Sequence, residues 1–246
     1  MRVVVAGATG LIGSRTVARL RDHGVQAVPV SRRHGVDVIS GEGLHKALRA
    51  AEVVVDVTNA PTRTDEAALQ FFRTATTNLL AAADLAGVEH HVILSVVGAD
   101  RLTSPYLRAK AEQEDQVRRS PIPHSIVRAA PSFEFLEAVT VADTRRDAVH
   151  VVPAPVRPVA TDDVAAALAR VAVGLPLFGT LEVAGPEEHR LDDLAAKLLA
   201  ARGDARCVIA DGRAGLLAAE AAEHGLLPQP GAHFGRTTFG TWLTQR

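Results

Sequence analysis

Val3-Val4-Val5-Ala6-Gly7-Ala8-Thr9-Gly10-Leu11-Ile12-Gly13 opens the chain and decides its fold. The apolar β-branched run predicts a parallel strand covered on both faces. After Gly13 the period becomes helical, with Val17 and Leu20 on one face and Gly24 as a stop. Gly7 allows a tight turn out of the strand, Gly10 lets backbone amides approach a ligand, and Gly13 lets the helix pack closely on the sheet. The helix then offers unpaired N–H groups and its positive dipole end to an anion. The spacing is Gly-x-x-Gly-x-x-Gly, not the usual Gly-x-Gly-x-x-Gly of dinucleotide sites. Its place, directly between an apolar strand and a helix, still suits a pyrophosphate. Gly7, Thr9, Gly10, Leu11, Ile12 and Gly13 are the expected cradle.

Outward from that turn, Gln26–Val30 reads as a second strand ending in Ser31-Arg32-Arg33. A carboxylate at this position accepts from a free ribose 2′-OH, whereas arginine accommodates a 2′-phosphate. Adjacent guanidinium groups therefore favour NADP(H) over NAD(H), with Asp37 nearby as the opposing charge. Val36–Ile39 reads as a third strand, and Leu44, Ala47, Leu48 and Ala51 as a helix. Val53–Val57 is a fourth strand, running into Thr58-Asn59-Ala60-Pro61. Ligands of open α/β sheets bind at such carboxyl ends, so Thr58, Asn59 and Ala60 are expected against the cofactor. Asn59 serves equally well as a simple turn residue.

A long helix follows from about Thr64 to Ala86, then a fifth strand His91–Ser95, a helix from Pro105 to about Arg119 and a sixth strand Ser125–Arg128. This alternation predicts a Rossmann-type, doubly wound parallel α/β sheet with right-handed crossovers. Beyond Pro131 the regularity weakens. A helix begins after the cap Thr161 with Asp162 and Asp163 in its first turn. Thr180–Pro186 reads as a strand with its turn, and Leu191, Leu194, Ala195 and Leu198 as a helix. Phe239, Trp242 and Leu243 form an apolar stripe that docks the C-terminus. The expectation is one domain over residues 1–246, with a cofactor-binding core at 1–130 and a smaller substrate lobe at 131–246.

Composition narrows the classes. The chain has 246 residues, 47% hydrophobic and 22% charged, with a net charge of −1. A near-neutral chain gives no electrostatic case for nucleic acid or an anionic membrane. Its one cysteine, Cys207, permits no intrachain disulfide or cysteine metal cluster and fits a small strand residue. No run is long and apolar enough to span a bilayer. The early glycines and the lack of a small-residue cleavage pattern argue against a secretory leader, so a cytoplasmic protein is expected, monomer or homodimer. His90 and His91 are adjacent on a strand and point to opposite faces, and no set of residues has metal-ligand spacing. Ser95 lacks the Gly-x-Ser-x-Gly setting of a hydrolase nucleophile. Arg118-Arg119 and Arg145-Arg146 read as solvated charges.

Tyr106 and Lys110 are four apart, which on a helix puts both side chains on one face. A phenol titrates near ~10, and a neighbouring ammonium lowers that value by favouring phenolate. Such a tyrosine can give a proton to a carbonyl oxygen as hydride arrives at carbon. Ser95, at a strand end, is the candidate for orienting the substrate oxygen, and equally a serine that satisfies backbone. Lys110 is also placed to hold ribose hydroxyls.

Ala6–Gly13 resembles the cofactor loop of extended and atypical short-chain dehydrogenases/reductases. Leu94–Asp100, Tyr106–Lys110 with Gln113-Glu114, Val127–Phe135, Pro158–Val164, Glu182–Pro186 and Phe239–Leu243 resemble blocks of the NmrA-like, NAD(P)H-binding branch. The resemblance spans nearly the whole chain and departs from better-known reductases at Val96, where serine or threonine often follows Ser95. It implies bound NADP(H), a small-molecule substrate and a cleft between two lobes. It also implies either a reductase of quinones, other carbonyls or activated double bonds, or a redox sensor that binds cofactor without turnover. An isomerase or epimerase that keeps its cofactor is a third possibility. Asn78 falls in the helix that lines the family's cofactor cleft, and Phe133 and Phe135 suit either a substrate pocket or the core.

Overall fold

The protein is seen in a computed structural model that describes residues 1–61, 65–102, 104–142, 144–145, 147–214 and 225–245. In chain order its elements are β1 (Arg2–Ala6), α1 (Leu11–Asp22), β2 (Gln26–Val30), α2 (Leu44–Ala47), β3 (Val53–Asp56), α3 (Asp65–Ala86), β4 (His90–Val96), α4 (Pro105–Arg119) and β5 (His124–Ala129). They continue with α5 (Phe133–Ala142), β6 (Thr144–Arg145), β7 (Ala148–Val151), β8 (Pro155–Val156), α6 (Thr161–Val173), β9 (Gly179–Ala184), β10 (His189–Arg190), α7 (Leu191–Ala201), β11 (Cys207–Ala210), β12 (His233–Phe234) and α8 (Phe239–Thr244).

A seven-stranded sheet runs in the order β2-β1-β3-β4-β5-β9-β12, and its strands are parallel, as the alternation of strand and helix predicted. The chain leaves β1 to one side for β2 and returns across it to β3. That reversal makes the carboxyl ends of β1 and β3 the switch point where α/β sheets bind ligands. Val3, Val4, Val5, Val54 and Val55 are fully buried. Burying one such side chain contributes about 1.5–3 kcal/mol, which is why these strands carry no polar face. Val4, Ala6, Val30, Leu44, Leu48, Val54, Leu79 and Ala83 form one core cluster, while Ala60, Ala68, Phe72 and Ala109 form another.

The contacts divide the chain into two units. The first comprises Met1–Ser95, Pro105–Arg128 and Val164–Leu181; the second comprises Val96–Ser104, Ala129–Asp163 and Glu182–Arg246. Within the second, Thr238 caps α8 by accepting from the Thr241 amide, and the aromatic stripe docks as expected. Phe239 and Trp242 are buried against Phe133, with ring centroids 5.7 and 5.3 Å from it. Phe133 is therefore a packing residue of this unit.

Several expectations need correction. Val36–Ile39 is not a strand, because Asp37 turns the chain on itself. Its Oδ1 accepts from the Ile39 amide at 2.7 Å and its carbonyl from Gly41. Only Val36 stays in the core. The fourth to sixth expected strands are thus β3, β4 and β5. Helix α1 starts at Leu11, so Gly13 lies inside its first turn. The irregular stretch after Pro131 contains α5 and a small sheet in the order β11-β7-β6. Cys207 is an exposed strand residue. Thr64, expected to start the long helix, and Arg146 lie outside the described residues. Among the described residues, no helix is long and apolar enough to cross a membrane.

Candidate cofactor and active site

The glycine turn is built by close approach of backbone. Gly7 has φ +82, and a Cβ there would lie 2.8 Å from the Val57 carbonyl oxygen, so glycine lets the turns after β1 and β3 meet. A Cβ on Gly13 would lie 2.2 Å from the Gly7 oxygen, so this glycine seats α1 on the turn itself. The amides of Gly7 and Ala8 donate to Val30 O at 3.0 and 3.1 Å, and that of Gly10 to Gly7 O at 3.0 Å. The N–H groups of Gly7 and Gly10 are thus taken up within the turns themselves. The amides of Leu11, Ile12 and Gly13, the first of α1, have no acceptor within their own helix. Gly10 caps the helix without a side chain, and Thr9, Gly10 and Leu11 are exposed. This end fits a pyrophosphate.

Register carries a second feature to the same place, since Ala6 pairs with Val30 and the turns after β1 and β2 start side by side. Ser31 is followed by a single tight turn, Arg32–His34, closed by Gly35 at φ +71. Arg32 and Arg33 are exposed, and their side chains make no ion pair or hydrogen bond among the described residues. The Asp37 carboxylate, the opposing charge, is engaged by its own turn. The Ser31 hydroxyl lies 2.7 Å from His34 Nδ1, a partner the sequence reading missed.

After β3, the expected Thr58-Asn59-Ala60 contact separates into unlike parts. Asp56 is 1% exposed, and its Oδ1 accepts from both the Thr58 amide, at 2.8 Å, and the Thr58 hydroxyl, at 2.6 Å. Ala60 is buried in the core, whereas Asn59 is exposed. Asn78, on α3, donates from Nδ2 to the carbonyls of Val38 and Ile39 at 2.9 and 2.8 Å, which pins the loop that replaced the expected third strand.

Helix α4 carries the remaining candidates. Tyr106 is half-buried and donates its hydroxyl proton to Asn59 Oδ1 at 2.9 Å. Lys110 is 2% exposed. Its ammonium donates to Leu94 O at 2.6 Å and to Gln113 Oε1, and lies 4.5 Å from the centre of the Phe72 ring. Gln113 in turn donates to Asp56 Oδ2 at 3.0 Å. Burial lowers the Lys110 pKa to about 8, against the pull of Asp56 and Glu114. Burial likewise raises Asp56, although Thr58, Lys110 and Gln113 oppose it.

Ser95 is fully buried, and its hydroxyl donates to Glu114 Oε1 at 2.6 Å. Arg128 grips the same carboxylate twice, Nε to Oε1 at 2.8 Å and Nη2 to Oε2 at 2.7 Å, and Arg118 adds a bond at 2.8 Å. Burial alone would raise the Glu114 pKa; the bonds from Arg128 and Ser95 outweigh it and hold the carboxyl below its ordinary value. Tyr106, Lys110 and Glu114 thus share a helix face as their spacing requires, but they act on different neighbours. Tyr106 meets the turn after β3, while Lys110 and Glu114 clamp the end of β4. The Ser95 hydroxyl is thus engaged by Glu114, and the Lys110 ammonium by Leu94 O and Gln113 Oε1.

Asp56, Gln113, Glu114 and Arg128 are the buried polar residues around the candidate site to which sequence reasoning gave no role. The available signal was a charge inside an apolar strand: Asp56 follows three valines and Arg128 follows Ile126 and Val127. A buried charge needs a partner. The histidines β4 begins with are different. Burial, with His124 nearby, lowers both His90 and His91 to about 4, so they are neutral packing groups.

The sequence profile of NAD(P)H-binding proteins matches residues 7–173. No curated protein matches the chain. Solved structures share its fold at low identity. The NADPH-dependent quinone oxidoreductase of Escherichia coli, complexed with NADPH, is 19% identical with TM-score 0.77, over 99% of each chain. Citrobacter sp. triphenylmethane reductase, complexed with NADP(H), is 17% identical with TM-score 0.72, over 100% of this chain and 99% of that one. Thermus thermophilus UDP-glucose 4-epimerase, complexed with NAD, is 21% identical with TM-score 0.67, over 85% of this chain and 86% of that one.

Proposed function

The chain belongs to the NAD(P)H-binding family, and from that premise we propose that it is an NADP(H)-dependent oxidoreductase of the atypical short-chain type, reducing a small carbonyl or quinone-like substrate. One observation carries the cofactor choice. The unpaired Arg32 and Arg33 start beside the glycine turn, where a nucleotide whose pyrophosphate lies on α1 presents its ribose. Guanidinium pairs are suited to phosphate in two-bond geometry. The neighbouring folds with NADPH, a quinone oxidoreductase and a dye reductase, support the reaction class.

In this reading the amides of Leu11, Ile12 and Gly13 hold the pyrophosphate, and Ser31, Arg32 and Arg33 hold the 2′-phosphate. Bound NADPH supplies the hydride. Tyr106, half-exposed, gives its phenol proton to the substrate oxygen as the carbon accepts hydride, and solvent restores the proton afterwards. Lys110 and Ser95 act one step back: they fix the end of β4 against α4 and so hold Tyr106 in place. A specific observation favours a second reading, a redox sensor that binds cofactor without turnover. Both polar groups expected to complete the tyrosine's site are engaged inside the protein.

The test is binding of NADPH and NADH, followed by turnover of quinones and carbonyls with the tighter nucleotide. Tyr106→Phe should lower turnover about 10²–10⁴-fold with little change in NADPH affinity. Unchanged turnover in that variant rejects the acid–base role. Absence of turnover by the wild type, with partner capture that differs between NADP⁺ and NADPH, selects the sensor. No binding of either nucleotide defeats both readings.

A further inference from the structure

We propose that Asn59 is the positioning residue of Tyr106, its carboxamide holding and tuning the phenol in the role expected of the Lys110 ammonium. The inference rests on the reading of Tyr106 as proton donor and moves Asn59 from cofactor contact to acid–base support. Tyr106 sits in the first turn of α4, and its hydroxyl donates to Asn59 Oδ1 at 2.9 Å. Phe72 packs against the tyrosine ring, centroids 6.0 Å apart at 66°, so the phenol is held at both ends. Asn59 itself stands on a turn fixed by the two bonds from Thr58 to Asp56. Lys110 has its donors on Leu94 O and Gln113 Oε1.

A carboxamide suits both states of a phenol. Its oxygen accepts from the neutral hydroxyl, and its NH₂ donates to an oxygen that has lost its proton. The terminal torsion of asparagine is broad and roughly two-fold, so a half-turn exchanges one end for the other without moving the backbone. When the phenol proton passes to the substrate oxygen, Asn59 can turn its N–H groups to the phenolate. When solvent returns the proton, Oδ1 accepts again. Both side chains reach solvent, Asn59 exposed and Tyr106 half-buried, so substrate and water can meet the hydroxyl.

Tyr106 is the only tyrosine in the chain, so the ultraviolet absorbance of phenolate reports this group alone, without cofactor or substrate. The titration midpoint is to be compared in wild type, Asn59→Asp, Asn59→Gln and Lys110→Met. Asn59→Asp sets a carboxylate against the phenolate and should raise the midpoint by on the order of one pH unit. Asn59→Gln, which keeps the carboxamide, should restore it towards the wild-type value. Lys110→Met should move it less than Asn59→Asp does. An unmoved midpoint in Asn59→Asp overturns the proposal, as does a larger shift in Lys110→Met. Asn59 is exposed, so its variants fold and decide the matter even should Lys110→Met fail to. Failed nucleotide binding or Tyr106-independent turnover defeats the proposed function instead. An unmoved phenol midpoint beside Tyr106-dependent turnover defeats this inference alone.

Discussion

Two regions of the first unit carry residues of the same chemical types and use them in opposite ways. In the turns after β1 and β2, the first amides of α1 and the exposed side chains of Arg32 and Arg33 have their donors uncommitted within the described chain. Along α4, the donors of Lys110, Gln113, Arg128 and Ser95 are buried and matched to Leu94 O, Asp56 and Glu114. Composition makes both regions candidates for function. Hydrogen-bond accounting separates them: the first has capacity left for a ligand, and the second has used its capacity to hold strand ends in place.

The strongest way to break that contrast is to remove a partner from the buried set. Arg128→Met leaves the Glu114 carboxylate inside the protein with two of its bonds gone. Breaking a buried pair from one side costs about 3–5 kcal/mol, which should appear as a lower denaturant midpoint. The double variant Arg128→Met with Glu114→Leu should recover part of the loss, because no unpaired charge remains. NADPH affinity of the folded Arg128→Met protein should stay near wild type. A loss of affinity with no loss of stability would mean that Arg128 faces the ligand and the contrast is misdrawn.

The converse change removes the open cations. Replacing Arg32 and Arg33 together by alanine should weaken NADPH binding about 10–100-fold, the worth of one hydrogen bond to a charged group. NADH affinity and the melting temperature should be unmoved, since neither arginine side chain has a partner among the described residues. Calorimetric titration with both nucleotides reads the difference directly. Equal weakening for NADH would assign these residues to the pyrophosphate rather than to the 2′-phosphate.

What the sequence made legible follows from the same contrast. Local rules govern the glycine turn and the basic strand end, so Val3–Gly13 and Ser31-Arg32-Arg33 could be read without knowing what surrounds them. The helix face of Tyr106, Lys110 and Glu114 was legible from spacing alone. Which strand each residue reaches was not, because Leu94, Asp56 and Asn59 are brought to α4 by the order of the sheet. Val36–Ile39 misled for a related reason. Its apolar alternation suits a strand, but the Asp37 side chain competes for the backbone and wins, with Asn78 from α3 fixing the result. The stretch after Pro131 resisted because its strands are as short as two residues, below any periodic signal.

The smallest effect is the most discriminating, because a serine at a strand end suits either region. Were Ser95 a substrate contact, Ser95→Ala would cost turnover on the scale of Tyr106→Phe and little stability. The geometry argues the reverse. The hydroxyl is fully buried, and Glu114 keeps both bonds from Arg128 and the one from Arg118 when it is gone. Ser95→Ala should therefore cost about 1 kcal/mol in stability, the net worth of a single hydrogen bond. Losing one of the bonds that hold the Glu114 pKa down should move that carboxyl upward. Its stabilising contribution would then fade at a higher pH on acidification. Turnover should fall less than tenfold, through slight loosening of β4 against α4. A hundredfold loss with an unchanged melting temperature would place Ser95 among the ligand-facing groups and return to it the orienting of the substrate oxygen.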